Sequence, residues 1–166
     1  MELADVQKAI DEIDGASVDR LKELLTTHEE VIMIGNGGSN AICSHISQDY
    51  TKFLGCRAYA FSDASRLTCY INDFGMENAY ERFLDDFATD DTLVILISSS
   101  GNSQNIVNCA QYCHDNGLPF ITITGFDKDN KVRSLYSAHA TLDMHVDSHS
   151  YGVVECVHQV FLHTPV

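Results

Sequence analysis

The chain is short of basic residues, of proline and of long apolar runs, and each shortage removes a class of function. Only ten lysines and arginines stand against twenty-four aspartates and glutamates in 166 residues, a formal charge of -14. A surface of that sign repels nucleic-acid backbones and anionic lipid, so neither a nucleic acid nor a membrane is expected as partner. An anionic ligand would have to be held by local backbone N–H groups and hydroxyls against an unfavourable overall field. Two prolines and no Ser/Gly-rich tract leave no linker. The length suits one domain over 1–166, opened by a helical segment at about 1–28. No stretch is apolar enough for a bilayer span, and Met1-Glu2-Leu3-Ala4-Asp5-Val6 lacks the basic region and apolar run of a signal peptide, so a cytoplasmic chain is expected. The six cysteines form no C-x-x-C pair and lack the density of a disulfide scaffold, so they are read as reduced. Cys109 and Cys113, four apart on a predicted helix, are read as core-facing thiols, with their meeting as the alternative.

What is present is an alternation of apolar strands with helical patterns. Val6, Ile10, Ile13, Val18, Leu21, Leu24 and Leu25 recur at helical spacing around Gly15, which predicts two short helices or one broken one. Then follow a strand at 31–34, a helix from about Asn40 to Leu54 and a strand near Arg57–Phe61. Tyr70–Ile71 and Ala79–Phe87 read as helical, 93–97 as strand, and Gln104–Asn116 as a helix ending at Gly117. Strands at Phe120–Thr124 and Ala140–Val146 precede a closing helix, Tyr151–His163, while 125–130 reads as a polar loop. Near-continuously apolar strands alternating with helices predict an α/β fold, a three-layer sandwich with a mainly parallel sheet flanked by helices.

Two of these strands run into polar loops. Val31-Ile32-Met33-Ile34 enters Gly35-Asn36-Gly37-Gly38-Ser39, and Leu93-Val94-Ile95-Leu96-Ile97 enters Ser98-Ser99-Ser100-Gly101-Asn102-Ser103. Such loops at the carboxyl ends of buried strands form the crevice where open α/β sheets bind ligands. A Gly-rich turn at a helix start lets amides approach an anion, and the helix dipole adds favourable potential. The first loop misses G-x-G-x-x-G, since Asn40 stands where the third glycine belongs, and it lacks the Gly-Lys-Ser/Thr ending of a P-loop. The four hydroxyls of the second suit one phosphate monoester better than a pyrophosphate. Helix starts with incidental serines would read the same way one loop at a time; the two together favour a small-molecule site.

Ionisable groups recur at helical spacing behind the loops. His45 and Asp49 share one helix face, which alone is no more than a surface hydrogen bond. Glu155, His158 and His163 fall within a sector of roughly 140° at about 100° per residue, among Val154, Val157 and Leu162. Polar groups embedded in an apolar helix need partners. His45, Asp49, Glu155 and His163 would supply nitrogen and oxygen ligands suited to zinc or another divalent ion. The alternative is a subunit interface or mutual satisfaction in the core. His28, His114 and His139 read as solvated, and His145 and His149 receive no role.

With Gly35-Asn36-Gly37-Gly38-Ser39 and His45, Asn72-Asp73, the Ser98–Ser103 loop, and Tyr151, Glu155, His158 and His163 in this order, the chain resembles the sugar isomerase (SIS) domain family, in particular its phosphoheptose isomerases. The resemblance implies a parallel sheet flanked by helices, assembled as a homotetramer with sites at subunit interfaces, and a sugar phosphate substrate. By position it implies substrate contacts at Asn36, Gly37, Gly38, Asp49, Asn72, Asp73 and Glu155, and phosphate contacts at Ser98, Ser99, Ser100 and Ser103. Zinc ligands would be His45, Asp49, Glu155 and His163, and the acid–base pair Asp49 and His163. The implied reaction converts sedoheptulose 7-phosphate to D-glycero-D-manno-heptose 7-phosphate through a cis-enediolate, a step toward lipopolysaccharide or capsule precursors. Two positions depart from the family pattern: its catalytic Glu is Asp49 here, and its Gln ligand is Glu155. The chain also stops three residues after His163, short against the family, which predicts a thinner interface. The readings held against this one are a phosphosugar-binding module without catalysis, an isomerase acting on another sugar phosphate, and a metal-free isomerase with Glu155 as base.

Overall fold

Five wholly parallel strands make one sheet in the computed structural model, which describes residues 1–166. They are β1 (Glu30–Gly35), β2 (Arg57–Ala60), β3 (Thr92–Ser98), β4 (Phe120–Gly125) and β5 (Leu142–Val146), in the spatial order β2-β1-β3-β4-β5. Every residue of β1, β3 and β4 is buried, whereas β5 alternates buried and half-buried positions and β2 is exposed at Arg57 and half-buried beyond it. The difference follows from position: central strands are covered on both faces, edge strands less completely. Register pairs Met33 with Ile95 and Ile95 with Ile121, so buried apolar side chains line up across the sheet.

Successive residues of each strand feed opposite cores. Val31 and Met33 pack with Ile95 and Ile97 under one helical layer: α1 (Leu3–Asp11), α2 (Gly15–Thr27), α3 (Gly38–Asp49) and α8 (Tyr151–His163). Ile32 and Ile34 pack with Val94 and Leu96 under the other: α4 (Ala64–Phe74), α5 (Ala79–Phe87), α6 (Gln104–Asn116) and α7 (Lys131–Tyr136). Cys109 and Cys113 lie in this second core as free thiols; burial pushes Cys113 up to about 12 and Cys109 well above the usual thiol range, so both are inert.

The α/β sandwich therefore stands as expected, with local corrections. The helix expected from Asn40 begins at Gly38, and its α-helical part ends at Asp49, passing into a π-helical turn, Tyr50–Leu54, closed by Gly55 at φ 77°. β5 begins at Leu142 rather than Ala140, and α7 was not expected at all. A six-residue helix is too short to show hydrophobic periodicity; only Asn130, whose side chain caps it, marks its start. No helix is long and apolar enough to cross a membrane.

This strand order reverses direction between β1 and β3, the point where open parallel sheets leave a crevice outside their carboxyl ends. The connections that leave the sheet there are the two motif loops.

Candidate functional site

The loop after β1 is shaped by close approaches. At Gly35 a Cβ would lie 2.8 Å from atoms of Ser39, so only glycine lets the chain double back into α3. Asn40 fastens the turn by donating through Nδ2 to the carbonyls of Gly35 at 3.0 Å and Phe61 at 2.9 Å. At Gly38 a Cβ would fall 2.6 Å from Glu155 Oε1, so the carboxylate of α8 rests against the start of α3.

In the second loop Gly101, at φ 61°, turns the backbone so that its N–H donates to Ser98 Oγ at 3.1 Å. The Asn102 N–H donates to Ser100 Oγ at 3.2 Å. Both hydroxyls act as acceptors here and keep their own O–H to donate. Ser99 Oγ is buried with no partner, and Ser103 sits at the N-cap of α6 without capping it. The Ser98, Ser100 and Ser103 hydroxyls therefore keep O–H donors for an anion, while the Ser99 hydroxyl is shut off from solvent. A cavity of about 230 Å³ lies between the loops, lined by Asn36, Gly37, Gly38, the serines, Tyr151 and Glu155. A larger cavity of about 490 Å³ sits at the amino ends of β1 and β2, among Lys22, His28 and Arg57, and holds none of the motif residues.

The ionisable groups form a second centre. His45 and Asp49 on α3 meet His163 on α8, with Asp49 Oδ2 3.5 Å from His45 Nε2 and 3.4 Å from His163 Nε2. These separations exceed a good hydrogen bond and match two ligands on one tetrahedral zinc, which at bond lengths of about 2.1 Å stand about 3.4 Å apart. His163 Nδ1 lies 2.9 Å from the Gln159 carbonyl, so that nitrogen carries the proton and Nε2 turns its lone pair toward Asp49 and His45. The three residues fit a divalent cation by donor type and spacing, with one ligand atom from each within 4.8 Å of the others.

Not every expected site residue joins these centres. Glu155 precedes His163 by eight residues, about 12 Å along the helix axis, and its carboxylate lies in the loop cavity rather than with the three ligands. His158 turns inward, its Nε2 donating to the Thr124 carbonyl at 3.0 Å, while its Nδ1 is buried without a partner. Asn72 and Asp73 are exposed near the end of α4, hydrogen-bonded to each other at 2.9 Å and away from the cavity of this chain. His28, expected in solvent, is half-buried with Nδ1 2.8 Å from the Leu24 carbonyl. His114 and His139 are exposed, as expected.

The sequence pattern of the SIS domain matches residues 3–125, most of the chain and including both loops. The chain belongs to the SIS domain family. Over 123 residues it is 35% identical to a phosphoheptose isomerase of Serratia proteamaculans, covering 71% of this chain and 63% of the relative. Over 105 residues it is 34% identical to that of Histophilus somni, covering 60% and 54%. The chain thus spans little more than half the length of these curated relatives. In fold it is similar to the phosphoheptose isomerase of Neisseria gonorrhoeae, with a TM-score of 0.82 at 22% identity over 96% of this chain and 89% of that one.

Within this SIS domain the sequence reading missed one side chain that reaches the site. Asn105, buried in the first turn of α6, exchanges two hydrogen bonds with Asn36: each Nδ2 donates to the other's Oδ1 at 3.0 Å. This reciprocal amide pair ties the first loop to the helix that follows the second. Asn36, expected against substrate, has its carboxamide engaged there. No local signal marked it, since Asn105 stands in a run with other polar residues, Ser103-Gln104-Asn105-Ile106-Val107-Asn108.

Proposed function

We propose that the chain is a phosphosugar aldose–ketose isomerase acting on sedoheptulose 7-phosphate, with 1–166 as a single SIS domain in a cytoplasmic homotetramer. One observation carries the reading: a hydroxyl-lined cavity at the sheet's switch point is paired, along the same two helices, with a two-histidine, one-carboxylate cluster. A module that only bound a phosphosugar would need the first and not the second.

Ser98, Ser100 and Ser103 hold the phosphate through O–H donors, and Gly37 and Gly38 bring backbone close to the sugar. Remote phosphate binding orients the reacting end of an extended heptose without touching it. His45, Asp49 and His163 would hold zinc or another divalent ion, which when bound polarises a carbonyl and acidifies the adjacent C–H. Asp49 and His163 are the acid–base pair: one takes the proton from the carbon beside the carbonyl, giving a cis-enediolate, and the pair returns protons to the neighbouring carbon and oxygens. Asn72 and Asp73 act across a subunit interface. In support, α4 buries none of its residues within one chain and leaves Phe74 and Met76 exposed beside it. Glu155 adds a carboxylate at the loop cavity, facing the sugar.

A second reading makes Glu155 the base of a metal-free isomerase, since it is the one carboxylate lining the loop cavity. NMR of sedoheptulose 7-phosphate with the protein in D₂O, with zinc and with chelator in parallel, tests both. An aldose phosphate deuterated at carbon two, lost on chelation, is the expected result. Deuteration that survives chelation favours Glu155 as base, and no exchange in either sample overturns the isomerase on this sugar.

A further inference from the structure

The serine loop is held from behind by a segment that none of the motifs contains. Val132 N–H donates to the Gly101 carbonyl at 3.0 Å, and Lys131 N–H donates to Asn102 Oδ1 at 3.0 Å. These are first-turn amides of α7, which have no partner inside their own helix. The third, Arg133 N–H, donates to Asn130 Oδ1 at 3.1 Å. Asn130 is 2% exposed, and through Nδ2 it donates to the carbonyls of Asp127 at 2.8 Å and Gly125 at 3.4 Å. Its carboxamide also lies flush against Gly101, where any Cβ would collide with it.

One buried side chain thus joins the end of β4, the start of α7 and the turn of the serine loop. We infer that Asn130 is a positioning residue, fixing through Gly101 the orientation of the Ser98–Ser103 hydroxyls toward the substrate's phosphate. The assignment rests on the proposed isomerase reading for its consequence in turnover, though not for its geometry. Capping α7 needs only an oxygen at position 130, which serine also supplies. Filling the space over Gly101 and bonding Gly125 and Asp127 needs the whole carboxamide. Asn130→Ser therefore separates a cap from a positioning group.

Two measurements on the full chain test it. In the ligand-free protein, Asn130→Ser should speed amide hydrogen exchange across 98–103 while leaving β1 and α8 at the wild-type rate. With sedoheptulose 7-phosphate, the same variant should raise KM about tenfold with a smaller change in kcat, the signature of lost ground-state binding. Asn130→Asp, which keeps the volume over Gly101 and the bond from Arg133, should fall between the two. Wild-type exchange in the loop, or wild-type KM, in Asn130→Ser overturns the positioning role and leaves Asn130 a helix cap. Faster loop exchange in a protein whose wild type turns over nothing supports the positioning and overturns the isomerase reading instead.

Discussion

The Ser103 hydroxyl makes no hydrogen bond within the chain although it stands at a helix N-cap, whereas the Ser98 hydroxyl accepts one from Gly101. The two serines of one loop should therefore respond differently to the same change. Ser103→Ala should leave the urea midpoint near the wild-type value and raise KM about tenfold or more, because a hydrogen bond to a charged phosphate contributes about 1.5–3 kcal/mol. Ser98→Ala should raise KM and also cost about 0.5 kcal/mol of stability, because the Gly101 amide loses one of its two acceptors and keeps the Ser98 carbonyl. Equal stability losses in both would show that the Ser103 hydroxyl has a structural partner. Asp49, placed between two imidazoles, is the group whose charge matters most. Asp49→Asn should abolish turnover and weaken zinc binding, read by calorimetry, while sugar phosphate binding persists; full activity would remove Asp49 as base. At this scale the sequence displayed the loop chemistry because it is local: strand, glycine turn and hydroxyls are contiguous. It could not display the Asn36–Asn105 exchange, which joins residues 69 apart, nor Asn130 against Gly101.

Among the elements, the strands were legible from their apolar runs, and α5, α6 and α8 from periodicity. The sector argument for α8 was less complete. It placed Glu155, His158 and His163 on one side of a helix, but a sector of about 140° is wide enough to divide. His158 faces the sheet, Glu155 the loop cavity and His163 α3. Axial rise, which separates Glu155 from His163 by two turns, does not appear in angular spacing at all. The π-helical turn behind Asp49 was equally hidden, and it has work to do. It carries Tyr50, fully buried, whose hydroxyl donates to the Leu162 carbonyl at 2.8 Å and so fixes α8 one residue before His163. π-helical turns recur at functional sites. Tyr50→Phe removes that hydroxyl and little else. It should cost about 1–3 kcal/mol in denaturant unfolding, because the carbonyl is left in a dry interior. It should also weaken zinc binding without altering KM for the phosphate end. Unchanged zinc affinity would mean that α8 holds His163 in place without the Tyr50 tie.

For the whole molecule, charge decides how it behaves in acid. With a formal charge of -14 the protein approaches neutrality as pH falls, which relieves self-repulsion, so acid does not destabilise it through general charge until the carboxylates are neutralised. His158 works against this relief. Burial holds its imidazole neutral and pushes its pKa down to about 4, against about 6.5 in an unfolded chain. Below pH 6.5 the unfolded state takes up a proton that the native state refuses. The stability due to neutral His158 is therefore complete above about pH 6.5 and declines as pH falls toward 4, by about 3 kcal/mol over that window. His145, bonded through Nδ1 to Thr124 Oγ1, is displaced in the same direction, by burial first and then by Arg133, and adds to the decline. Glutamine at position 158 can still donate to the Thr124 carbonyl and cannot take a proton. Urea midpoints at pH 7.5 and pH 4.5 should thus lie closer together in His158→Gln than in the wild type, whatever the variant's stability at pH 7.5. An equal spacing in the two proteins would mean that acid sensitivity comes from the carboxylates and that His158 opens to solvent before it titrates.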